Sequence, residues 1–131
     1  MEKKNKLGHF KKISDTIPEI INLNVGGRKF TTSKNTLCSI SDTFFTAMLM
    51  GGIPSYRDDS GAIFIDRDPD LFSIILNYLR TNKLHNVNEH NIDSLMDEAK
   101  FYSITPLVKK LELRGNLLST PTCGGNILFE V

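Results

Sequence analysis

Cysteine is scarce in this 131-residue chain. Cys38 and Cys123 lie far apart in sequence, make no disulfide framework, and point to a reducing compartment. Long apolar runs are missing as well: no stretch approaches the roughly 18 apolar residues that a membrane helix needs. The first residues, MEKKNKLGHFKK, are charged and hold no apolar run, so they do not read as a signal peptide. A charge imbalance is also absent. With 16 basic against 15 acidic residues the net charge is +1, and nothing global points to nucleic acid or to an acidic membrane surface. There is no internal repeat and no low-complexity tract. What remains is an ordinary globular composition, 40% hydrophobic and 24% charged, with length for one domain and its core but not for a second.

The stretch from Ala62 to Leu84 organises the chain. Ala62 to Ile65 is a short run with β-branched and aromatic weight, the mark of a buried strand. Asp66-Arg67 ends it. Asp68 then precedes Pro69, a carboxylate that can accept from free N–H groups followed by a proline that needs no donor, which together predict a helix start. At 100° per residue, Leu71, Phe72, Ile74, Ile75, Leu76, Tyr78 and Leu79 fill an arc of roughly 200°. An arc that wide needs cover on two sides. Its own domain supplies one, and a partner is a candidate for the other.

Before that stretch, residues 1–18 form a lysine-rich arm with little periodicity, expected to be a solvated, frayed terminus rather than a phosphate-binding tail. Ile21 to Val25 alternates apolar and polar residues as a half-buried strand does. Gly26-Gly27 and a second short strand, Arg28 to Thr32, complete a tight hairpin. A phosphate cradle fails on spacing, with no GxGxxG or GxxxxGKS and a strand following. Ser33 is placed to cap a one-turn helix through Leu37, and Ser41 or Asp42 the next, from Thr43 to Met50. Gly51-Gly52 stops that helix. Ile53 to Gly61 reads as an aperiodic surface loop carrying one aromatic, Tyr56, a candidate contact residue.

After it, Asn91 is placed to cap a helix from Ile92 to Tyr102 with an apolar stripe of Ile92, Leu95, Met96, Ala99 and Tyr102. Phe101 falls about 100° off the stripe and is expected to be covered by a neighbouring helix. Thr105-Pro106 opens a last helix with Leu107, Val108 and Leu111 inward, terminated at Gly115. Residues 116–131 are expected to be a linker, then an apolar strand from Asn126 that reads as the start of a further domain or as a fold-back on this one.

No catalytic constellation is present. The alternating Asp66, Asp68 and Asp70 lack the glycine and glutamate of a calcium loop, and Pro69 interrupts them. His9, His85 and His90 show no ligand spacing. Cys38 has no neighbouring base and is expected to be a buried structural thiol. With no GxSxG or HExxH, no acid, base and nucleophile assemble. The expectation is a protein that is not an enzyme and needs no metal or cofactor.

Leu23-Asn24-Val25-Gly26-Gly27 with Phe30-Thr31-Thr32, then Phe64-Ile65-Asp66-Arg67-Asp68-Pro69, then Ile75 to Thr81, and Glu98 to Tyr102, resemble the BTB/POZ domain of the potassium-channel tetramerisation-domain (KCTD) family. The resemblance covers roughly Ile20 to Leu113, within a domain placed at residues 19–115. It implies an α+β BTB/POZ fold, a small β-sheet with a hairpin start flanked by about five helices. It also implies a cytoplasmic homo-oligomerisation module, commonly of four or five copies, and, for many members, a substrate adaptor docked to a cullin-3 ubiquitin ligase. Ring contacts in such domains tend to be polar, which nominates Arg28, Asp66, Arg67 and Asp70 for the oligomer interface. Phe44, Met48, Tyr56, Phe101 and Tyr102 are the candidates for cullin-3. Gly61 to Pro69, Ile104 to Val108 and the tail Cys123-Gly124-Gly125 are similar to long members that continue into a WD-repeat propeller. One departure is Ser39-Ile40-Ser41-Asp42, where many relatives carry a proline. The second reading is the cytosolic tetramerisation domain of a voltage-gated potassium channel. It ranks behind, because this sequence holds neither the paired cysteines of those channels' zinc site nor a transmembrane segment.

Overall fold

The computed structural model describes residues 17–119, with side chains through Asn116. They fall into two compact units that divide after Pro69. The elements in chain order are β1 (Ile20–Val25), β2 (Arg28–Ser33), α1 (Lys34–Leu37), α2 (Phe44–Leu49), β3 (Tyr56–Arg57), β4 (Ile63–Ile65), α3 (Pro69–Thr81), α4 (Ile92–Phe101) and α5 (Thr105–Ser119).

The first unit is built on a four-stranded mixed sheet in the order β2-β1-β4-β3. β1 and β2 pair antiparallel from Ile20↔Ser33 to Val25↔Arg28. Gly26 and Gly27 form the turn at φ +57° and +98°, the positive values that a two-residue hairpin asks for. β1 pairs parallel with β4 through Leu23↔Ile63, Asn24↔Phe64 and Val25↔Ile65, and β4 pairs antiparallel with β3. The period-2 alternation sends Ile21, Leu23, Val25, Ile63 and Ile65 into the core. Leu37, Phe45 and Met48 from α1 and α2 are also buried. Each large apolar side chain taken fully from water contributes about 1.5–3 kcal/mol.

Two corrections concern the helices and loop of this unit. The cap of α2 is Thr43, not Ser41 or Asp42. Asp42 stands at φ +62°, whereas Thr43 is extended and its hydroxyl accepts from the N–H of Phe45 and Thr46. Thr46 returns the bond, its Oγ1 accepting from Thr43 N–H at 2.9 Å, so the two residues satisfy each other's free groups. At the other end Gly51 N–H donates to Met48 O and Gly52 N–H to Ala47 O, the paired bonds of a glycine-terminated helix. The expected loop from Ile53 to Gly61 contains a strand. Tyr56 and Arg57 pair with Phe64 and Ile63 at the sheet edge. Two residues are too few to carry a periodicity, and the pairing with β4 creates the element.

The second unit holds most of α3 and all of α4 and α5. Helix α3 opens at Pro69 and buries Phe72, Ile75, Leu76, Tyr78 and Leu79. Leu71 and Ile74, on the flanks of the wide arc, are half-buried. α4 and α5 pack on one another, and the Phe72 and Tyr102 rings meet edge-on at 5.9 Å. Asn91 stands before α4 without capping it. Its side chain turns back instead, donating to Asn86 O at 2.7 Å and accepting from Asn88 N–H at 2.9 Å. Gly115 does not end α5, which runs on to Ser119. A Cβ at Gly115 would lie 3.8 Å from Ile92 Cδ1, an ordinary contact. The arm at 1–16 and the expected strand from Asn126 lie outside the described residues.

Candidate functional site

Three of the four residues expected at an oligomer interface belong to the first unit and gather at one end of its sheet. The hairpin tip folds onto the chain leaving β4. Gly26 N–H donates to Ile65 O at 2.9 Å, and Arg28 Nη2 donates to Pro69 O at 2.8 Å. A Cβ at Gly26 would come within 2.4 Å of Arg67 O and 3.0 Å of Pro69 Cδ, so the tip is seated directly on the backbone there. Arg28 and Asp66 are exposed on this end and Arg67 is half-buried. The Arg28 guanidinium also lies over the Phe30 ring at 5.2 Å. Asp70 is exposed in the first turn of α3, where a carboxylate suits the positive helix end. The arrangement presents charged groups on a rigid turn, chemistry suited to polar contacts with another chain.

The residues expected to meet cullin-3 divide. Tyr56, in edge strand β3, is 73% exposed, and Phe101 at the end of α4 is 40% exposed. Phe101 was expected to be covered. Its ring meets that of Tyr102 edge-on at 5.0 Å and leaves a large part of its surface to solvent. Phe44 is half-buried, edge-on to Phe45 at 5.7 Å. Met48 and Tyr102 are buried, at 5% and 0% exposure. Both lie on the inner stripe of their helices, where an apolar side chain serves the core and offers a partner no surface.

The sheet's outer face carries a row that sequence reasoning did not single out. Lys29, Asn24, Phe64 and Tyr56 stand side by side across the four strands. The row is braced by Asp58 in the β3–β4 turn. Its carboxylate accepts from Ser60 Oγ at 2.7 Å, Ser60 N–H at 2.9 Å, Ala62 N–H at 3.0 Å and Asn24 Nδ2 at 2.7 Å. These bonds, that from the Ser60 hydroxyl foremost and that from Asn24 next, hold the Asp58 carboxyl well below the usual carboxylate range. Lys29 Nζ lies 3.1 Å from Ser60 Oγ and 4.0 Å from Asp58 Oδ2. The signal was available in Asp58-Asp59-Ser60-Gly61, a turn sequence whose first aspartate can bond to the backbone ahead of it.

Cys38 is half-buried rather than buried. Burial raises its thiol pKa and the Lys34 charge partly opposes that, so at neutral pH it is a weak nucleophile. Among the described residues no three His, Cys, Asp or Glu side chains are placed to hold a metal ion. No helix among them is long and apolar enough to cross a membrane.

Comparison with known proteins gives this geometry its context. The BTB/POZ domain family matches residues 21–111. The chain is 50% identical over 112 residues to the SH3KBP1-binding protein 1 of Rattus norvegicus, covering 86% of this chain and 16% of that protein. It is equally similar over 112 residues to the BTB/POZ domain-containing protein KCTD3 of Homo sapiens, covering 86% of this chain and 13% of that one. With the BTB/POZ domain-containing protein KCTD5 of Bos taurus it shares 36% identity over 105 residues, 79% of this chain and 45% of the relative. The chain thus spans less than half the length of these relatives. By the extent of the match, and with the hairpin, mixed sheet and helices in the expected order, the chain belongs to the BTB/POZ family, in its potassium-channel tetramerisation type.

Proposed function

We propose that the chain is a self-associating interaction module whose copies meet through the charged end of the sheet. The observation that carries this is the seating of the hairpin tip on the β4 exit, which fixes the backbone around Arg28, Asp66 and Arg67 while leaving charge at the surface. Polar groups held by a rigid backbone lose little entropy on binding, and opposite charges across an interface set its register. Light scattering at micromolar concentration tests the reading. The wild-type chain is expected to have a mass of several copies, and Asp66→Arg with Arg67→Glu to shift it towards one. A wild-type monomer would overturn the reading.

Exposed aromatics, one in each unit, serve a different chain, for which the family resemblance suggests the amino-terminal region of cullin-3. Tyr56 in the first unit and Phe101 in the second are each a candidate anchor, because large aromatics left in water are what a partner can bury. Capture of that cullin region should be lost in Tyr56→Ala with Phe101→Ala, at unchanged mass. Absence of capture by the wild-type chain would leave the self-association role alone. The resemblance of the tail also supports a propeller domain in the full-length protein, whereas six membrane helices there would support the channel reading. The full-length gene distinguishes the two.

A further inference from the structure

The second unit contains a cleft that neither role uses. It has a volume of about 500 Å³ and lies where the chain leaving α3 meets the middle turns of α5. Asn82, Lys83, Leu84, His85, Lys110, Leu113 and Arg114 line it. Three permanent cations and a histidine surround it, and none of these lining residues is acidic. The chain as a whole is nearly neutral, so three cations without an acid around one cleft is a local asymmetry. Elsewhere among the described residues, lysines do find acids: Lys34 sits 3.4 Å from Glu19 and Lys29 4.0 Å from Asp58.

The cleft is also partly preformed. Lys110 Nζ lies over the Tyr78 ring at 5.1 Å and 3.4 Å from Asn82 O, two contacts that hold the ammonium in place. Asn82 takes a left-handed conformation, φ +63°, which turns the chain sharply after α3. The same lining includes Leu84, half-buried, and Leu113, 66% exposed. One exposed leucine on a helix is ordinary, but this one forms part of a concave wall bordered by cations. A bare phosphate would use the charges and leave both leucines wet. A peptide segment carrying carboxylates around an apolar side chain would use both.

We propose that this cleft docks an acidic peptide segment of a partner protein, with carboxylates on Lys83, Lys110 and Arg114 and an apolar side chain between Leu84 and Leu113. The charge complementarity and the apolar wall together set the class of ligand. The cleft is lined entirely by residues of the second unit, whereas Arg28, Asp66 and Arg67 belong to the first.

The test is a titration of the ¹⁵N-labelled chain with a twelve-residue peptide of glutamates around two leucines, followed by NMR. Saturable shifts are expected at residues 82–85 and 110–114, weakening as salt is raised. Lys83→Glu with Arg114→Glu should weaken binding at least tenfold, and replacing the peptide's leucines by serine at least threefold. Lys100→Glu, an exposed site outside the cleft, should leave affinity unchanged. The double variant should keep the wild-type mass in light scattering, so its failure is distinguishable from failure of self-association. The proposal is overturned by shifts absent from the cleft, by equal binding of a lysine peptide, or by equal weakening in Lys100→Glu. Capture by phosphatidylserine vesicles without peptide binding overturns it in favour of a lipid surface.

Discussion

Replacing Gly26 by alanine tests whether the hairpin tip is held by contact or merely by turn conformation. Two effects compete. Both turn glycines have positive φ, which costs an L-residue about 1–2 kcal/mol in the left-handed region. Gly27, at +98°, lies further from the left-handed well near +57° than Gly26, which sits in it. If conformation alone mattered, Gly27→Ala would be the more damaging change. The surroundings reverse that order. A Cβ at Gly27 meets nothing within 4 Å, whereas one at Gly26 would lie 2.4 Å from Arg67 O. A backbone oxygen cannot rotate aside as a side chain can. The tip must lift, and lifting stretches the Gly26 N–H bond to Ile65 O and the Arg28 bond to Pro69 O. Two hydrogen bonds at roughly 1 kcal/mol each, added to about 1 kcal/mol of conformational cost, give a loss of about 3 kcal/mol. For a folded region of this size that lowers the melting temperature by roughly 12–24 °C. Gly27→Ala should lower it by about a third to two-thirds as much, from conformational cost alone. Circular dichroism melts at one fixed protein concentration measure both, since association makes the midpoint concentration-dependent. Equal shifts, or a larger one for Gly27→Ala, would refute the seating of the tip on the β4 exit. If the seating holds, Gly26→Ala should also impair self-association at temperatures where the chain is still folded.

Thr43→Ala removes the hydroxyl that caps α2 and leaves the N–H groups of Phe45 and Thr46 without that acceptor; it should cost about 1–2 kcal/mol in urea denaturation, while Thr43→Ser should retain most of the stability. Asp58 gives a pH dependence. Its folded pKa is depressed, so its contribution is complete above the unfolded value of about 4 and is lost as pH falls from there through the lower folded value. Wild-type melting temperature should therefore fall as pH is lowered below about 4, and Asp58→Ala should flatten that slope. Cys38 in a Cys123→Ser background should react with iodoacetamide more slowly at pH 7 than a free thiol does, and speed up as pH is raised past the ordinary cysteine value.

Where the chain states a local rule strongly, sequence reading located the element. Gly26-Gly27 between alternating strands could hardly be anything but a hairpin, and Asp68-Pro69 marked the start of α3 within the chain. Where tertiary pairing decides, it did not. Tyr56-Arg57 becomes a strand only because Ile63 and Phe64 lie alongside. Three polar residues in a row, Ser41, Asp42 and Thr43, can each cap a helix, and the choice fell to Thr43, whose backbone is extended where that of Asp42 is left-handed. Gly115 reads as a stop but is accommodated mid-helix at an ordinary distance from Ile92. The candidate site was partly legible for the same reason. Charged residues flanking a turn are visible in sequence, but burial of Met48 and exposure of Phe101 depend on what covers each helix.

The mixed sheet has a consequence for how the first unit is assembled. Its two hairpins are local, closing two and five residues of chain between paired strands, and each can form within microseconds. They are joined by a parallel seam of three register pairs, Leu23↔Ile63 to Val25↔Ile65, between strands 40 positions apart. Loop closure makes that seam the entropically costly step, and nothing rewards it until all three pairs and their buried side chains are in place. Substitutions at Leu23, Val25, Ile63 or Ile65 that shave volume without disrupting either ribbon should therefore slow the joining of preformed halves, giving a bottleneck at the seam in stopped-flow refolding.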